Sequence, residues 1–364
     1  MFTTVAIDIF RSIFGKSFSE LPFIILGNFF ASIIYILIAF GFVFLIIRLR
    51  IIKNKRSSLK EDQKDILEDF INNYLFEEDY KRVTRVVNFK REHLKTNLKK
   101  RLTIKEIVSF HENLKGETAE DLEVLFLKLN LESIVINDLE KGKWYEKARA
   151  LYVLSELQIS LPEENIYPYL NHKKRDLRQE AQLYFVRLAK ENPIAFLEKL
   201  QQPLTKWEQI YIEDALKKEY KGEIPNFAAW RFHHLDSVVQ FSIKMIARFN
   251  QYENIDKIVP FISHHSEIVR IETIRTLYAL EHYDVLLHII PRFTKETFNV
   301  KKEIICAIKE LGNLSHLHQL KSQIKKSELN LKLDYYLAEK HFLPGQIESI
   351  YLKYEQEKGN LQEA

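Results

Sequence analysis

An uncharged apolar segment near the beginning of the chain is its clearest pattern. Residues 21–47 contain no Asp, Glu, Lys or Arg. A helix of that length is about 40 Å long, which exceeds the roughly 30 Å of hydrocarbon in a bilayer. Because the segment is longer than the apolar part of a cleaved signal peptide and runs directly into Arg48 and Arg50, it predicts a transmembrane helix that stays in the mature protein.

The basic residues on either side of this segment predict its orientation. Arg11 and Lys16 lie upstream, whereas six basic residues lie downstream within residues 48–60. Because Lys and Arg accumulate on the cytoplasmic side of membrane helices, residues 1–20 are expected outside, as a tail or a short amphipathic helix, and the remainder in the cytoplasm. A composition rich in Ile, Lys, Phe and Asn favours an AT-rich bacterial source, so the expected location is a bacterial inner membrane, crossed once.

The next pattern is amphipathic and helical. Residues 48–60 are expected to form a basic juxtamembrane linker, and Ser58 to Glu61 match the capping box S-x-x-E, which predicts a helix start at Ser58. The apolar residues that follow recur at helical spacing: Leu59, Ile66, Leu67, Phe70, Ile71, Tyr74 and Leu75. Residues 61–143 are therefore expected to be a basic helical region that leads into the rest of the chain.

Residues 80–105, here called the basic stretch, carry a dense positive charge. Ten basic residues stand against one acid, Glu92: Lys81, Arg82, Arg85, Lys90, Arg91, Lys95, Lys99, Lys100, Arg101 and Lys105. Five apolar residues at helical spacing predict one buried face: Val83, Val87, Leu94, Leu98 and Leu102. Such a stretch suits an anionic lipid surface, an acidic partner or nucleic acid, or a plain solvated helix face.

A repeat of about 31 residues fills residues 144–343. Its anchor positions are 146, 177, 208, 238, 269, 300 and 331. Eight residues after the anchors stand Leu154, Phe185, Leu216, Ile246, Leu277, Ile308 and Glu339, and eleven after them stand Leu157, Leu188, Glu219, Phe249, Leu280, Leu311 and Phe342. Since offsets 0, 4, 8 and 11 share one face of an α-helix, the repeat predicts an all-α solenoid of stacked helix pairs.

Three prolines support this phase. Pro168, Pro260 and Pro291 each lie nine residues before an anchor. Because proline removes a backbone donor and interrupts a helix, its recurrence predicts a kink or a start in the first helix of each pair.

These features resemble the HEAT repeat family. The shared pattern is a proline, apolar residues, a polar turn and then Val-Arg-x-x-small, as in residues 168–181 and 260–273. The third unit is degenerate, with Glu208 at its anchor, and the last resembles a cap, with Glu339 inside it. The resemblance covers a little over half of the chain and implies a scaffold that binds macromolecules, followed by a polar tail over 344–364.

The position after each anchor is mostly basic. It holds Lys147, Arg178, Gln209, Val239, Arg270, Lys301 and Lys332. In HEAT proteins this position often forms a ladder with acids of the adjacent turns, for which Asp176 and Asp236 are the candidates here. The alternative is a basic ridge that binds a partner.

Other polar and aromatic residues receive structural interpretations. His172, His234 and His265 lie near the same turn, but repeats stacked about 8–10 Å apart suit no shared metal. Trp144 and Trp207 are in phase with the repeat, which favours packing between repeats over the base stacking of HEAT-like DNA glycosylases.

Composition excludes several enzyme classes. No two of the nine glycines lie within ten residues of each other, so GxGxxG, the P-loop and GxSxG are absent, and HExxH is absent too. Cys306, the single cysteine, permits no internal disulfide and no Cys-based zinc site, and it is expected in the core. No catalytic residue, cofactor or metal is therefore expected.

The sequence thus favours a non-enzymatic scaffold that binds protein partners at the membrane, and anionic lipid is a further candidate ligand. Membrane HEAT proteins of this build look like accessory subunits of an envelope glycosyltransferase or signalling assembly. Two alternatives stay open: a nucleic-acid-binding repeat protein that uses the basic stretch, and an enzyme whose site forms only in three dimensions.

Overall fold

The structure, a computed structural model, describes residues 23–76, 79–325 and 328–346, together with Leu352, Glu355 and Gln356. All regular secondary structure in these residues is helical, which confirms the predicted all-α class. The chain divides into two compact units, one up to Leu129 and one from Asn130 onward. The expected outer tail, residues 1–20, and most of the expected polar tail lie outside the described residues.

The described residues of the first unit form four helices: α1 (Phe23–Phe76), α2 (Asp79–His93), α3 (Asn97–His111) and α4 (Glu117–Lys128). Helix α1 is 54 residues long. Within it, Gly27–Asn54 is long and apolar enough to cross a membrane, and its most apolar window has no buried residue. It is the only helix with these properties in the described part of the chain.

The predicted helix start at Ser58 is wrong, because α1 continues without a break through residues 48–60. The chain has no proline between residues 22 and 162 and no glycine between residues 41 and 116. Lys, Arg, Leu and Glu favour helix, and a serine costs only about 0.5 kcal/mol relative to alanine. Nothing in the sequence therefore breaks the helix where the apolar segment ends, and the segment expected as a linker is helical.

The end of α1 forms the core of the first unit. Of the predicted amphipathic pattern, Leu67, Phe70, Ile71 and Tyr74 are buried, whereas Ile66 is 39% exposed. The Phe70 ring stacks on Phe89 of α2 with 3.9 Å between ring centroids. Helix α1 also packs against α3 and α4, so its apolar stripe is covered on several sides.

The predicted buried face of the basic stretch is wrong. Val83, Val87 and Leu98 are 59%, 58% and 50% exposed, and only Leu94 of the five is fully buried. The cause lies at Thr96, whose side chain accepts a hydrogen bond from Lys99 N and starts a new helix. The five apolar residues therefore lie on two separate helices and in the turn between them, and they do not share one face. The residues that α2 and α3 bury are instead Val86, Phe89, Thr103, Ile104, Ile107 and Val108.

Seven long helices recur in the second unit and are here called the repeat helices: α6 (Trp144–Glu156), α8 (Arg175–Leu188), α9 (Lys206–Lys218), α10 (Asp236–Arg248), α12 (Glu267–Ala279), α14 (Phe298–Leu311) and α16 (Leu329–Phe342). Shorter helices precede or separate them: α5 (Glu132–Lys141), α7 (Tyr167–Leu170), α11 (Ile255–Ile258), α13 (Val285–Ile289) and α15 (Leu314–Lys321). Every repeat helix begins two residues before its predicted anchor. The predicted period and phase are confirmed.

The prolines interrupt the segments that precede the repeat helices. Pro168 lies in the first turn of α7. Pro260 and Pro291 lie in the 3₁₀ turns Val259–Ser263 and Ile290–Lys295, which directly follow α11 and α13. Proline thus marks a start in one repeat and a change from α to 3₁₀ geometry in two others, as the pattern predicts.

Contacts between successive repeat helices build the core of this unit. The residues four after the anchors are all buried: Ala150, Ala181, Ile212, Ser242, Thr273, Ile304 and Tyr335. Helix α6 packs on α8, α8 on α9, α10 on α12, α12 on α14, and α14 on α16. Between α9 and α10, Lys244 Nζ lies 2.7 Å from Glu213 Oε2. Each repeat therefore depends on its neighbours for burial.

Candidate functional site

The basic stretch spans α2, the following turn and most of α3. Its side chains fall into three groups: Lys90, Arg91, Lys95 and Lys105 are exposed; Arg85, Lys99, Lys100 and Arg101 are half-buried; and those of Lys81 and Arg82 lie outside the described part of the structure. The exposed charges are largely uncompensated. Arg91 lies 3.4 Å from Glu92, whereas Lys90, Lys95 and Lys105 form no ion pair with a described residue.

Apolar side chains lie among these charges. On α2, Val83, Val87, Lys90 and Arg91 have the spacing of one helix face, and all four are exposed. Helices that lie on a membrane surface carry both exposed apolar residues and Lys and Arg. The structure therefore adds exposed valines to the positive charge that the sequence shows.

The predicted basic ladder bridges successive repeats, but with other acids than expected. Three pairs form it: Arg178 Nε to Glu208 Oε1 at 3.1 Å, Arg270 Nε to Glu296 Oε2 at 3.0 Å, and Lys301 Nζ to Glu328 Oε1 at 2.9 Å. Asp176 and Asp236 are not the partners, because Asp176 lies beside Arg175 and Asp236 beside His265. The acids come instead from the repeat that follows each base.

The remaining ladder residues are also engaged or half-buried. Lys147 Nζ donates to the Glu140 carbonyl at 2.9 Å and lies 5.1 Å from the centre of the Tyr169 ring. Lys332 is half-buried, and Arg178 and Lys301 are only 9% and 5% exposed. These cations join repeats within the chain, and the ladder as a whole offers little free positive surface.

Histidines in three equivalent turns each accept a hydrogen bond from a backbone N–H of the same turn. In two of the three turns, the histidine involved is one residue before the predicted one. Nδ1 of His172, His233 and His264 accepts the backbone N–H two residues later, at 3.1 to 3.2 Å. Each acceptor lies five residues before an anchor, so the equivalent residues are His233 and His264 rather than His234 and His265. Burial, and then the neighbouring histidine, lowers the pKa of His233 and of His264, which favours the neutral ring that this hydrogen bond requires.

One cluster places metal-binding side chains together. Ligand atoms of Asp236, His264 and His265 lie within 4.8 Å of one another, and this donor set suits Zn²⁺ or a similar ion. However, His264 Nδ1 already accepts from Ser266 N at 3.2 Å, and His265 Nε2 lies 3.3 Å from Asp236 Oδ1. Both histidines therefore already form contacts, one within the turn and one to Asp236 of the preceding repeat.

The tryptophans differ from the expectation. Trp207 is 58% exposed, so the prediction that it packs between repeats is wrong. Trp144 is 37% exposed and has Lys174 of the next repeat 5.6 Å from its ring centre. Trp230 is buried. The phase of Trp207 one residue before its anchor places it at the edge of the buried stripe.

Trp207 is one of several exposed apolar residues on the repeat helices that sequence reasoning missed, here together called the exposed apolar face. Nine exposed apolar residues of the repeat helices make it up: Trp144, Tyr145, Trp207, Ile210, Tyr211, Ile268, Phe298, Leu333 and Leu337. All but Trp144 and Phe298 stand one before or two, three or six after an anchor, positions that share one side of a helix.

The single cysteine has no sign of reactivity. Cys306 is half-buried in α14, and burial raises the pKa of its thiol. A raised pKa disfavours the thiolate that nucleophilic chemistry needs.

Comparison with known proteins assigns this chain to no family. Neither a scan of protein-family models nor a search of curated proteins finds a match to this chain.

Proposed function

We propose that the protein is a non-enzymatic scaffold, anchored in a membrane by α1, whose helical repeats bind protein partners. The observation that carries this proposal is the exposed apolar face. Exposed Trp and Tyr recur on these helices, and Trp and Tyr are among the residues that most often dominate protein interfaces. The repeat phase and the Pro…Arg-x-x-small pattern support a HEAT-like class for these repeats.

A pull-down from detergent-solubilised source membranes tests the scaffold. A variant with Ile268, Leu333 and Leu337 changed to Ser is expected to lose partners that the parent captures. The control changes Tyr252, Tyr283 and Leu287 to Ser, because these are as exposed but lie in the segments between repeat helices. Equal recovery from both variants, or no partner above background with the parent, would contradict the proposal.

The proposed location is a bacterial cytoplasmic membrane, with the repeats in the cytoplasm. Two observations support it: Gly27–Asn54 is long and apolar enough to span a bilayer, and basic residues are concentrated on its C-terminal side. A reporter fused after Lys60 should be fluorescent as green fluorescent protein and inactive as alkaline phosphatase. The reverse result would place the repeats outside the cytoplasm and exclude cytoplasmic partners.

We further propose that the basic stretch rests on anionic lipid. The exposed Val83 and Val87 beside Lys90 and Arg91 favour this over the nucleic-acid alternative, because aliphatic side chains add to lipid binding and contribute little to phosphate contacts.

A further inference from the structure

Acidic residues three positions after the anchors bond to the preceding repeat helix. Three such pairs are present: Gln240 Nε2 to Glu272 Oε2 at 3.1 Å, Arg275 Nη2 to Glu303 Oε2 at 2.6 Å, and Lys302 Nζ to Asp334 Oδ1 at 3.5 Å. In each pair the donor stands two or six residues after the anchor of the helix before. The carboxylate of one repeat is thus compensated by its neighbour.

Glu180 holds the same position in α8 but lacks this compensation. The residues on α6 at the two donor positions are Ala148, which has no side-chain donor, and Tyr152, whose ring centre lies 5.8 Å from Arg187 Cζ. Glu180 Oε2 is buried and has no hydrogen-bond partner among the described residues. A buried carboxylate oxygen without a donor typically costs about 1–3 kcal/mol, so a donor brought to this carboxyl group would be favourable.

An open pocket lies at Glu180. It has a volume of about 330 Å³ and is lined by Arg175, Asp176, Gln179, Glu180, Trp207 and Tyr211. Trp207 and Tyr211 are one helical turn apart on α9 and are 58% and 43% exposed. The pocket therefore combines two aromatic side chains from one repeat with two carboxylates from the preceding one.

This combination has a definite chemical preference. Aromatic faces attract cations through their quadrupole, most strongly when carboxylates stand nearby. Arg175 does not cancel both acids, because its Nε lies 3.9 Å from Asp176 and both side chains are more than half exposed. With Glu180 ionised, the charged groups that line the pocket therefore sum to a negative charge.

We infer that this pocket binds the guanidinium group of an arginine from a protein partner. A planar guanidinium stacks on Trp207 or Tyr211 while its N–H groups donate to Glu180, a geometry that a compact ammonium cannot reproduce. The inference deepens the proposed function and rests on it only in taking a protein as the source of the arginine.

The ionisation of Glu180 supports this assignment. Burial raises its pKa to about 7, with Arg187 opposing the shift and Asp176 and Glu219 adding to it. A bound guanidinium favours the carboxylate form. Affinity should therefore increase by about tenfold from pH 6 to pH 8, a range in which guanidinium stays charged.

The test uses the full-length chain in detergent micelles, labelled with 5-fluorotryptophan. The three tryptophans give three fluorine resonances, and Trp207→Phe assigns the one at the pocket. The probes are N-acetyl-arginine methylamide and its citrulline counterpart, which has nearly the same shape but no charge. We expect the arginine probe to shift the Trp207 resonance, with those of Trp144 and Trp230 as internal references, and the citrulline probe to leave all three in place.

Two variants locate the effect. Glu180→Gln should weaken the arginine probe about tenfold, the loss of one charge-assisted hydrogen bond. Asp214→Asn removes the same charge from an exposed position on α9, where Asp214 pairs with Lys218, and should change the affinity less than twofold. Equal responses to both probes, equal losses in both variants, or no shift in a folded protein would each overturn the inference.

This experiment is independent of the partner pull-down. A bound arginine probe without any captured partner would leave the pocket in place and remove the scaffold. A captured partner without a bound arginine probe would support the scaffold and exclude the proposed pocket.

Discussion

At the scale of single residues, the apolar pattern does not predict the charged side chains that are buried in the repeat core. Glu208 stands at an apolar anchor and gives its repeat a degenerate sequence. In the structure it is fully buried, because its carboxylate accepts from Thr205 N at 2.7 Å and from Arg178 Nε. Apolarity alone cannot predict such a residue, since a charge is tolerated inside when its hydrogen bonds are satisfied.

The pair of Glu208 and Arg178 should be strongly coupled. Glu208→Ala is expected to lower the free energy of unfolding by about 3–5 kcal/mol, because it leaves a buried guanidinium without its carboxylate. Combining it with Arg178→Met should recover much of that loss. Urea unfolding followed by circular dichroism measures both variants, and additive losses would show that the two residues are not coupled.

Glu180 should make stability depend on pH. Its pKa is about 7 in the folded chain against 4.5 for the ordinary side chain, so the folded state holds the proton more tightly. This contribution is therefore fully present below pH 4.5 and is lost as the pH rises through 7. Thermal unfolding at pH 5 and pH 8 should show a smaller difference for Glu180→Gln than for the parent. An unchanged difference would mean that Glu180 titrates normally.

At the scale of elements, the sequence predicts what one helix determines by itself. All seven repeat helices begin at the expected phase, because each carries its own apolar stripe and polar turn. The same reasoning failed at Ser58, where a capping pattern lies inside a continuous helix, and across Thr96, where a cap resets the phase of the buried face. The wrong predictions therefore concern where helices begin and end, and not whether these segments are helical.

The basic stretch should bind anionic vesicles through its exposed charges. The test variant changes Lys90, Arg91, Lys95 and Lys105 to Gln in a fragment that begins at Asn54. Each charge contributes about 1 kcal/mol near an anionic surface, an upper value once salt screens it. Binding should fall by at least tenfold in vesicle co-sedimentation at moderate salt.

A control variant that loses the same number of charges elsewhere shows whether the position of the charges matters or only the net charge of the protein. It changes four exposed lysines of the second unit to Gln: Lys141, Lys173, Lys190 and Lys221. This variant should keep most of the vesicle binding. If both variants bind vesicles like the parent, the lipid proposal is wrong. Salt-dependent binding of the parent to duplex DNA, without vesicle binding, would favour the nucleic-acid alternative.

At the scale of the whole molecule, the candidate sites form where two repeats meet. Glu180 faces Trp207 across a boundary between repeats, and Asp236 meets His265 across another. Residues about 30 positions apart come together because the period brings equal offsets side by side. The sequence predicts that adjacency, but not which offsets stay exposed. That depends on how far each helix is covered by its neighbours.

Because each repeat is buried by its neighbours, a destabilising substitution in one repeat should also destabilise the adjacent repeats of the second unit. Leu277→Asp places a charge at a fully buried position of α12, and an unpaired buried charge costs several kcal/mol. Because α12 packs on α10 and on α14, both should lose part of their interface. Hydrogen exchange with mass spectrometry should show faster exchange in α12, α10 and α14, and a smaller effect in α6, which lies four repeats before α12.

The matched control for this prediction is Leu287→Asp. Leu287 lies in α13, close to α12 in sequence, but it is 72% exposed, so the same chemical change meets water rather than a packed core. Its exchange pattern should equal that of the parent. If Leu277→Asp instead unfolds all repeat helices together, the second unit behaves as one cooperative domain, and the nearest-neighbour description of its stability does not hold.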